Sequence, residues 1–544
     1  MLYDDVLVLL GEFGRHQKLM VIFTALCSFT SGPSQLSSVF TLNIPKHRCA
    51  LPGYDNDTYQ IQDDYHSYLI NQSIPSHSSC MLRNQSIDQN GNLTSREYKC
   101  QSWVYDKSEF FSSFVTEFDL VCDRAVYKTN AVMVLFLGLL VGYSTLSTAA
   151  DMFGRKPLLV VCNIAFVACH YLMIWSPNYI FLMFIRFLLG LSMSGQVLAL
   201  YIIGLEFVAP NQRIYAGVAS FYTWCMGSMI YIGMAYFIRN WRTLQIVVAV
   251  YVTPVLFFFL IVPESPRWLL TRGYNSKASK IILKSARINN IEFDKELIEG
   301  IKVQDKVTKF KFWRMFTNYR LCIRTLIIYF TWFASSMTYY GILLNMSILS
   351  GNIYLNYVIS TALEIITYTV VMLSTDKIGR KMMLCISLIV SAISLTSCIF
   401  TLLYAPSDFD WLTTVFAIIG KFGATTAFCI LWFWTGELFP TELRNTGTGT
   451  SSAMARIGSV VAPYIGYMTV SISGAFGRIS PFVVFSIICI LALTLSTIFL
   501  PETSHLTLPE TIDDCIQLGH GFGKPRKLKQ VEEEIKMLKS ETKM

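Results

Sequence analysis

Charge is what this chain has least of. Only 15% of its 544 residues are Asp, Glu, Lys or Arg, whereas soluble globular domains carry about a quarter. Polar linkers are scarce as well: none divides the chain before the tail near Leu500, so it does not read as a string of soluble domains. No GxxxxGK[ST] segment occurs, which argues against an ATP-driven machine. Neither HExxH nor GxSxG is present, and the seven histidines at 16, 47, 66, 77, 170, 505 and 520 show no metal-ligand spacing. No metal and no cofactor is therefore expected. A membrane-embedded enzyme would need paired carboxylates or a His and Cys cluster at one depth, and the sequence presents neither. A nucleic-acid-binding face is also missing, because the net charge of +8 is spread through short segments between apolar runs.

What the chain has in abundance is hydrophobic surface, 53% of its residues. Apolar runs near the length that crosses about 30 Å of hydrocarbon recur from end to end. They cover 17–41, 129–150, 157–176, 179–206, 214–237, 243–262, 321–345, 354–375, 382–404, 410–436, 447–471 and 478–500, which predicts twelve transmembrane helices in the lipid bilayer. The first is interrupted by Ser31, Gly32 and Pro33 and lacks a small-residue cleavage site, so it reads as a retained helix and not a signal peptide.

Two polar connections set the topology. Residues 42–128 hold the sequons at Asn56, Asn71, Asn84 and Asn92 and the clustered cysteines Cys49, Cys80, Cys100 and Cys122, features suited to an oxidising, glycosylating exterior. Spacing leaves the disulfide connectivity open. The other ten cysteines mostly stand singly in apolar runs, as Cys162, Cys385 and Cys489 do, and read as inert packing residues. Residues 263–320 hold thirteen Lys and Arg against six Asp and Glu, the bias of a cytoplasmic loop. Both termini then fall inside, with a charged tail from Lys524 to Lys543. The predicted order is a cytoplasmic N-terminus (1–16), an N-terminal six-helix bundle (17–262), the cytoplasmic loop (263–320), a C-terminal six-helix bundle (321–500) and a cytoplasmic tail (501–544).

An internal repeat supports that division. Asp151, Gly154, Arg155 and Lys156 match Asp376, Gly379, Arg380 and Lys381 at an offset of 225 residues, and Glu206 matches Glu437 at 231. Pro263-Glu264-Ser265 and Pro501-Glu502-Thr503 stand 238 apart. Three pairs in one order mark duplicated bundles that rock about a midplane site. In each DxxGRK turn glycine permits the bend and a basic pair lies beside a carboxylate. A single copy would suit a positive-inside anchor; two equivalent copies suit a latch in which Arg155 and Arg380 pair with Asp151, Asp376, Glu206 or Glu437 in one state and release them in another.

With these segments in view, the chain resembles the major facilitator superfamily, and within it the organic cation, anion and carnitine transporter family (solute carrier family 22). The resemblance spans nearly the whole chain and rests on GEFGRHQ at 11–17, WVYDKSEFFSSFVTEFDLVCD at 103–123, DMFGRKP at 151–157, RFLLGLSMSG at 186–195, EFV at 206–208, VPESPRWLL at 262–270, WFASSMTYYG at 332–341, GELFPTELRNTGTGTSSAMARIGSVVAP at 436–463 and LPET at 500–503. One departure is Ser147, where the family's loop motif has Gly four residues before the Asp. The resemblance implies an all-α membrane protein of the major facilitator fold: a plasma-membrane carrier of small organic ions that works by alternating access.

Arg456 in the eleventh span discriminates among branches. A guanidinium at that depth is costly unless paired or hydrated, so it is either satisfied structurally, by Glu364 or backbone carbonyls, or it anchors a substrate carboxylate with its fork. The family's cation members resemble an Asp there, its anion and carnitine members an Arg. Tyr368 in LEIITY stands where anion members resemble a base in an LPAK or LPAR pattern, so the pocket is expected to hold one fixed positive charge, Arg456 being the deep cation. Trp332, Tyr339, Tyr340, Trp432, Trp434, Tyr201 and Trp224 are candidates to box a quaternary ammonium, although such residues commonly serve as interface belts or packing. Ser194, Gly195, Gln196 and Val197 replace the Lys-Gly-Ser-Trp pattern that cation members resemble. The expected cargo is a carnitine-like zwitterion, with an organic anion or a plain cation as rivals, and a transporter-like receptor as the non-transport alternative. Coupling would be to sodium, protons or solute exchange.

Overall fold

A computed structural model describes residues 3–54, 56–75, 78–87, 93–209, 212–291, 312–440, 443–472, 474–504, 509 and 512–517. Asn92, residues 292–311 and the tail from 518 lie outside the described residues.

Lipid cannot satisfy a free backbone N–H or C=O, so apolar runs of this length must close their own hydrogen bonds as helices. Twelve helices, of 12 to 29 residues, lie at the predicted positions. They are α1 (Arg15–Thr41), α2 (Ala125–Phe153), α3 (Arg155–Ile174), α4 (Tyr179–Glu206), α5 (Arg213–Phe237), α6 (Trp241–Val252), α7 (Tyr319–Asn345), α8 (Ile353–Ile378), α9 (Arg380–Tyr404), α10 (Asp410–Leu438), α11 (Arg444–Ser471) and α12 (Ala475–Phe499). Nine of them, all but α5, α6 and α11, are long and apolar enough among the described residues to cross a membrane. Asn178, Asn240, Asn318 and Asn352 open α4, α6, α7 and α8, each side chain accepting from a first-turn N–H.

Three boundaries differ from expectation for physical reasons. Several helices start a turn early because Arg155, Arg380 and Arg444 are helical although polar. The first helix runs unbroken through Pro33, with Ser34, one turn above Thr30, donating its hydroxyl to the Thr30 carbonyl. The sixth is shorter: Pro254, which has no N–H, falls in a 3-10 stretch at Thr253–Phe257 before a final turn at Phe258–Ile261.

Packing repeats with a shift of six helices. In the N half α1 packs on α5, α2 and α3 on α4, and α3 on α6; in the C half α7 packs on α11, α8 and α9 on α10, and α9 on α12. The halves meet where α2 touches α11 and α5 touches α8. Inside the N half, α2 and α4 cross at Gly138 and Gly190; a Cβ on either would sit 2.2 Å from a carbonyl oxygen of the other helix, the small-residue contact that brings membrane helices close.

Residues 42–124 form a disulfide-bonded insertion. Strands β1 (His47–Cys49) and β4 (Trp103–Tyr105) pair antiparallel, as do β2 (Met81–Ile87) and β3 (Leu93–Lys99). The cysteines join as Cys49–Cys100 and Cys80–Cys122. His47 lies near Cys80 and Cys122, but both thiols are spent in the disulfide, so the trio makes no metal site. Arg48 forks onto Asp57, and His66 donates from Nε2 to the same carboxylate while its Nδ1 accepts from the Gln62 N–H. Burial opposes ionisation of Asp57, yet hydrogen bonds from Arg48, the Leu51 N–H and His66 outweigh it and hold the carboxyl below the usual range. Asn56 and Asn71 are exposed here, and Asn84 is in β2.

At the opposite end the Tyr3–Leu9 helix packs Tyr3, Val6 and Leu7 against Ile282 and Ala286 of the Asn275–Ile288 helix. Asn289 ties this end together, donating to the Leu10 carbonyl and to Gln17 and accepting from the His16 N–H.

Candidate functional site

The repeated turns are built alike in both halves. Arg155 reaches Asp151 at 2.9 Å and Glu206 at 3.4 Å; Arg380 reaches Asp376 at 2.9 Å and Glu437 at 3.2 Å. Each arginine opens its helix directly after a glycine of positive φ, +105° at Gly154 and +98° at Gly379. The glutamates of the PES and PET segments complete the design. Glu264 accepts the N–H groups of Arg155 and Lys156, both at 3.1 Å, and Glu502 those of Arg380 and Lys381, both at 3.0 Å, placing a carboxylate at the positive end of the helix dipole. A Cβ at Gly154 or Gly379 would lie 2.5 or 2.8 Å from that carboxylate. These glycines thus serve the cap as well as the bend.

The second constellation lies midway along the bundle and is not duplicated. Arg456 on α11 is buried; its guanidinium stands 4.4 Å from the Tyr143 ring centroid on α2 and lies within electrostatic reach of the Tyr340 hydroxyl, while its Nε has no partner. Among the described residues none of the ion pairs involves Arg456. Glu364, the expected structural partner, instead takes the Lys421 ammonium on α10 at 2.7 Å. Lys421 also donates to Ser360 at 2.7 Å and lies 5.2 Å from the Tyr339 ring. Tyr339 donates to Glu364 at 3.0 Å, and the Cys225 thiol on α5 approaches the other carboxylate oxygen at 3.6 Å.

One expectation is corrected here. Arg456 is not the lone deep cation, and the site does not hold a single fixed positive charge: Lys421 on α10 is 1% exposed and paired with Glu364. Tyr368 supplies no base, as expected, but the base comes from the neighbouring helix. A lysine inside an apolar run is a functional signal by itself, and GKFG at 420–423 carried it in plain view. Arg186 is also deep, with its Nε on the Ala131 carbonyl at 2.8 Å and its NH2 on the Ser38 hydroxyl; it bolts α4 to α2 and α1.

The candidate aromatic residues form a file, not a closed box. Tyr201 lies 6.5 Å from Trp432, Trp432 is 5.0 Å from Trp332, and Phe428 links Trp332 to Tyr339 at 5.4 and 6.4 Å. Tyr340 continues it, 4.9 Å from Tyr339 and 4.7 Å from Phe136. Tyr368 stacks separately on Phe221 at 5.0 Å, still within electrostatic reach of Glu364. Two candidates stand outside this file of ring contacts among the described residues: Trp434, two residues past Trp432 and so about 200° round the helix, is fully buried, and Trp224 on α5 is half-buried. Sequence reasoning missed Tyr143, Phe136, Phe221 and Phe428, whose roles depend on which helices cross.

Hydrogen bonds join the halves from the disulfide-loop end to mid-depth: Tyr464 to Asn130 at 2.8 Å, Tyr340 to Gln35 at 3.3 Å, Cys225 to Glu364 at 3.6 Å and Tyr222 to Thr369 at 2.8 Å. Phe40 adds ring contacts to Tyr354 and Tyr357, each at 5.5 Å. The Arg155 and Arg380 ion pairs lie at the other end and bind within each half.

Comparisons with known proteins agree with this architecture. The family model described as sugar (and other) transporter matches residues 60–513. Structures of the E. coli xylose transporter XylE share the fold, with a TM-score of 0.61 at 14% identity for a partially occluded inward-open form over 90% of this chain and 99% of that one. The molecule is thus a multi-pass membrane transporter of the major facilitator fold, a class of carriers and not of enzymes. Among curated proteins, the organic cation transporter protein of Drosophila melanogaster is 35% identical over 96% of this chain and 95% of its own length. Solute carrier family 22 member 6-B of Xenopus laevis is 31% identical over 94% of each. The human organic cation/carnitine transporter 2 is 28% identical over 95% of this chain and 94% of its own. The chain belongs to the sugar (and other) transporter family, in its solute carrier family 22 branch of organic cation/carnitine type.

Proposed function

We propose that this protein is a plasma-membrane carrier that moves carnitine-like zwitterions by alternating access, with the 42–128 loop outside and both termini in the cytoplasm. The observation that carries the reading is Arg456, a buried guanidinium set over the Tyr143 ring whose described contacts include no carboxylate. A desolvated fork of this kind is suited to a carboxylate brought by the cargo. The ring file from Tyr340 to Trp432 offers faces to a quaternary ammonium at the cargo's other end. Arg155 with Glu206 and Arg380 with Glu437 act as the latches, closed in a state where the halves touch on the loop side.

Lys421 favours one alternative, an organic anion carrier, because it brings a second cation to the site. The Drosophila relatives named for organic cations favour another. Uptake of labelled carnitine, a simple organic cation and a dicarboxylate, each with and without sodium, separates the three. Saturable carnitine uptake that fails in Arg456→Ala at normal surface expression supports the proposal; uptake of the cation alone would replace it.

A further inference from the structure

A membrane potential drives net charge but does no work on a neutral zwitterion, so accumulating one needs a second ion or an exchanged solute. Among the described residues of the twelve helices, Glu364 is the one buried acidic residue. The groups around it come from four helices: Cys225 on α5, Tyr339 and Tyr340 on α7, its own neighbour Tyr368 on α8, and Lys421 on α10. Arg456 on α11 reaches the same set through Tyr340.

Resting on the reading of the cargo as a carboxylate, we infer that the Glu364–Lys421 pair is a proton-coupling site, at which one proton and the cargo carboxylate bind together and leave together. With Glu364 ionised, Lys421 is neutralised and Arg456 is the uncompensated charge offered to the cargo. A proton from the entry side adds to a Glu364 carboxylate oxygen and is carried there; the Lys421 ammonium loses its anion, keeps its own protons and turns to the cargo carboxylate. Two cations then face one anion, so proton and carboxylate raise each other's affinity, and that linkage is necessarily reciprocal. On the far side the carboxylate departs, Lys421 returns to Glu364, and the proton is released. Sodium fits the pair less well. The ammonium already stands 2.7 Å from Glu364 and 2.7 Å from Ser360, the place a monovalent cation would take, and a metal ion there would meet Lys421 head-on.

The test is initial uptake of labelled carnitine into liposomes holding the full-length protein, sodium-free, with and without an inward pH gradient of one unit. The gradient should raise accumulation by up to about tenfold, a protonophore should abolish the rise, and Glu364→Gln should bring the ratio of uptake with and without gradient down to one. Exchange against internal unlabelled carnitine shows that the variant is folded, and Glu364→Asp should restore a gradient response with a displaced pH profile. A wild-type ratio of one, accumulation driven by sodium instead, or an undiminished ratio in Glu364→Gln would each overturn the inference while leaving the cargo reading intact. Transport of a simple cation but no carboxylate at zero gradient would overturn both.

Discussion

The two halves of this molecule agree at one end and part company in the middle. At the latch end every element has its counterpart: Arg155 and Arg380, Glu206 and Glu437, Glu264 and Glu502, even Arg213 and Arg444 at the same 231-residue offset as the glutamates. At mid-depth the symmetry ends. By that offset Arg456 stands where the N half has Cys225, and Lys421 where it has Gly190; by the 225-residue offset Glu364 stands where it has Leu139. The C half supplies the charge, while the N half supplies faces and thiols, Tyr143 beneath Arg456 and Cys225 beside Glu364. Rocking requires equivalent halves, because both must close and open about one axis. Recognition of a small ion requires the opposite, a site whose two sides differ. Duplication followed by one-sided placement of charge satisfies both.

The comparison breaks first at Arg456. Truncation to Ala should cost about 3–5 kcal/mol of cargo binding, more than a hundredfold in apparent affinity for a carboxylate, with surface biotinylation confirming normal delivery. Arg456→Lys should recover only part of it, because the ammonium keeps the charge and loses the fork. Unchanged carboxylate affinity in Arg456→Ala would return the residue to a packing role and the C half's charge to structure.

Next come the latches. Arg155→Gln and Arg380→Gln should each lower maximal uptake by roughly tenfold, about 1.4 kcal/mol, with little change in apparent affinity, and by similar amounts if the halves are mechanically equivalent. A large effect in one half alone would show that the structural symmetry is not functional symmetry; normal turnover in both would remove the latch.

A milder change sharpens the asymmetry at the site. Tyr368→Lys should shift preference toward dicarboxylates by only a few-fold, measured by competition, because the new ammonium would share Glu364 with Lys421 and be half-neutralised. A large shift would mean that Glu364 does not screen it.

The smallest effects are expected in the insertion, which has no counterpart in the C half. The folded Asp57 carboxyl lies below its ordinary range, so its contribution to stability is present above the unfolded value near 3.8 and is lost only as pH falls through the lower folded one. Proteolysis of the insertion should therefore be flat from neutral to mildly acidic pH and rise below about 4, whereas Asp57→Asn should be more sensitive at neutral pH and converge with the wild type at the acid end. Enzymatic deglycosylation of surface protein should shift its gel mobility; an unshifted band from a glycosylating host would place the insertion on the other side.

Much of this was legible in the amino-acid order. Helix number and position followed from apolar length, since lipid leaves the backbone no other choice. The division into halves followed from DMFGRK and DKIGRK, and the latch partners from glutamates that recur at one offset, because symmetry makes local sequence report on distant contacts. Tertiary structure decided the rest. Which cysteine bonds which, that Lys421 and not Arg456 answers Glu364, that Trp432 and not Trp434 meets the Trp332 ring, and that Tyr143 floors the arginine all depend on how helices cross and rotate about their axes. A run of apolar residues sets a helix's length; its rotation is set by close contacts such as Gly138 on Gly190, made with partners dozens of residues away.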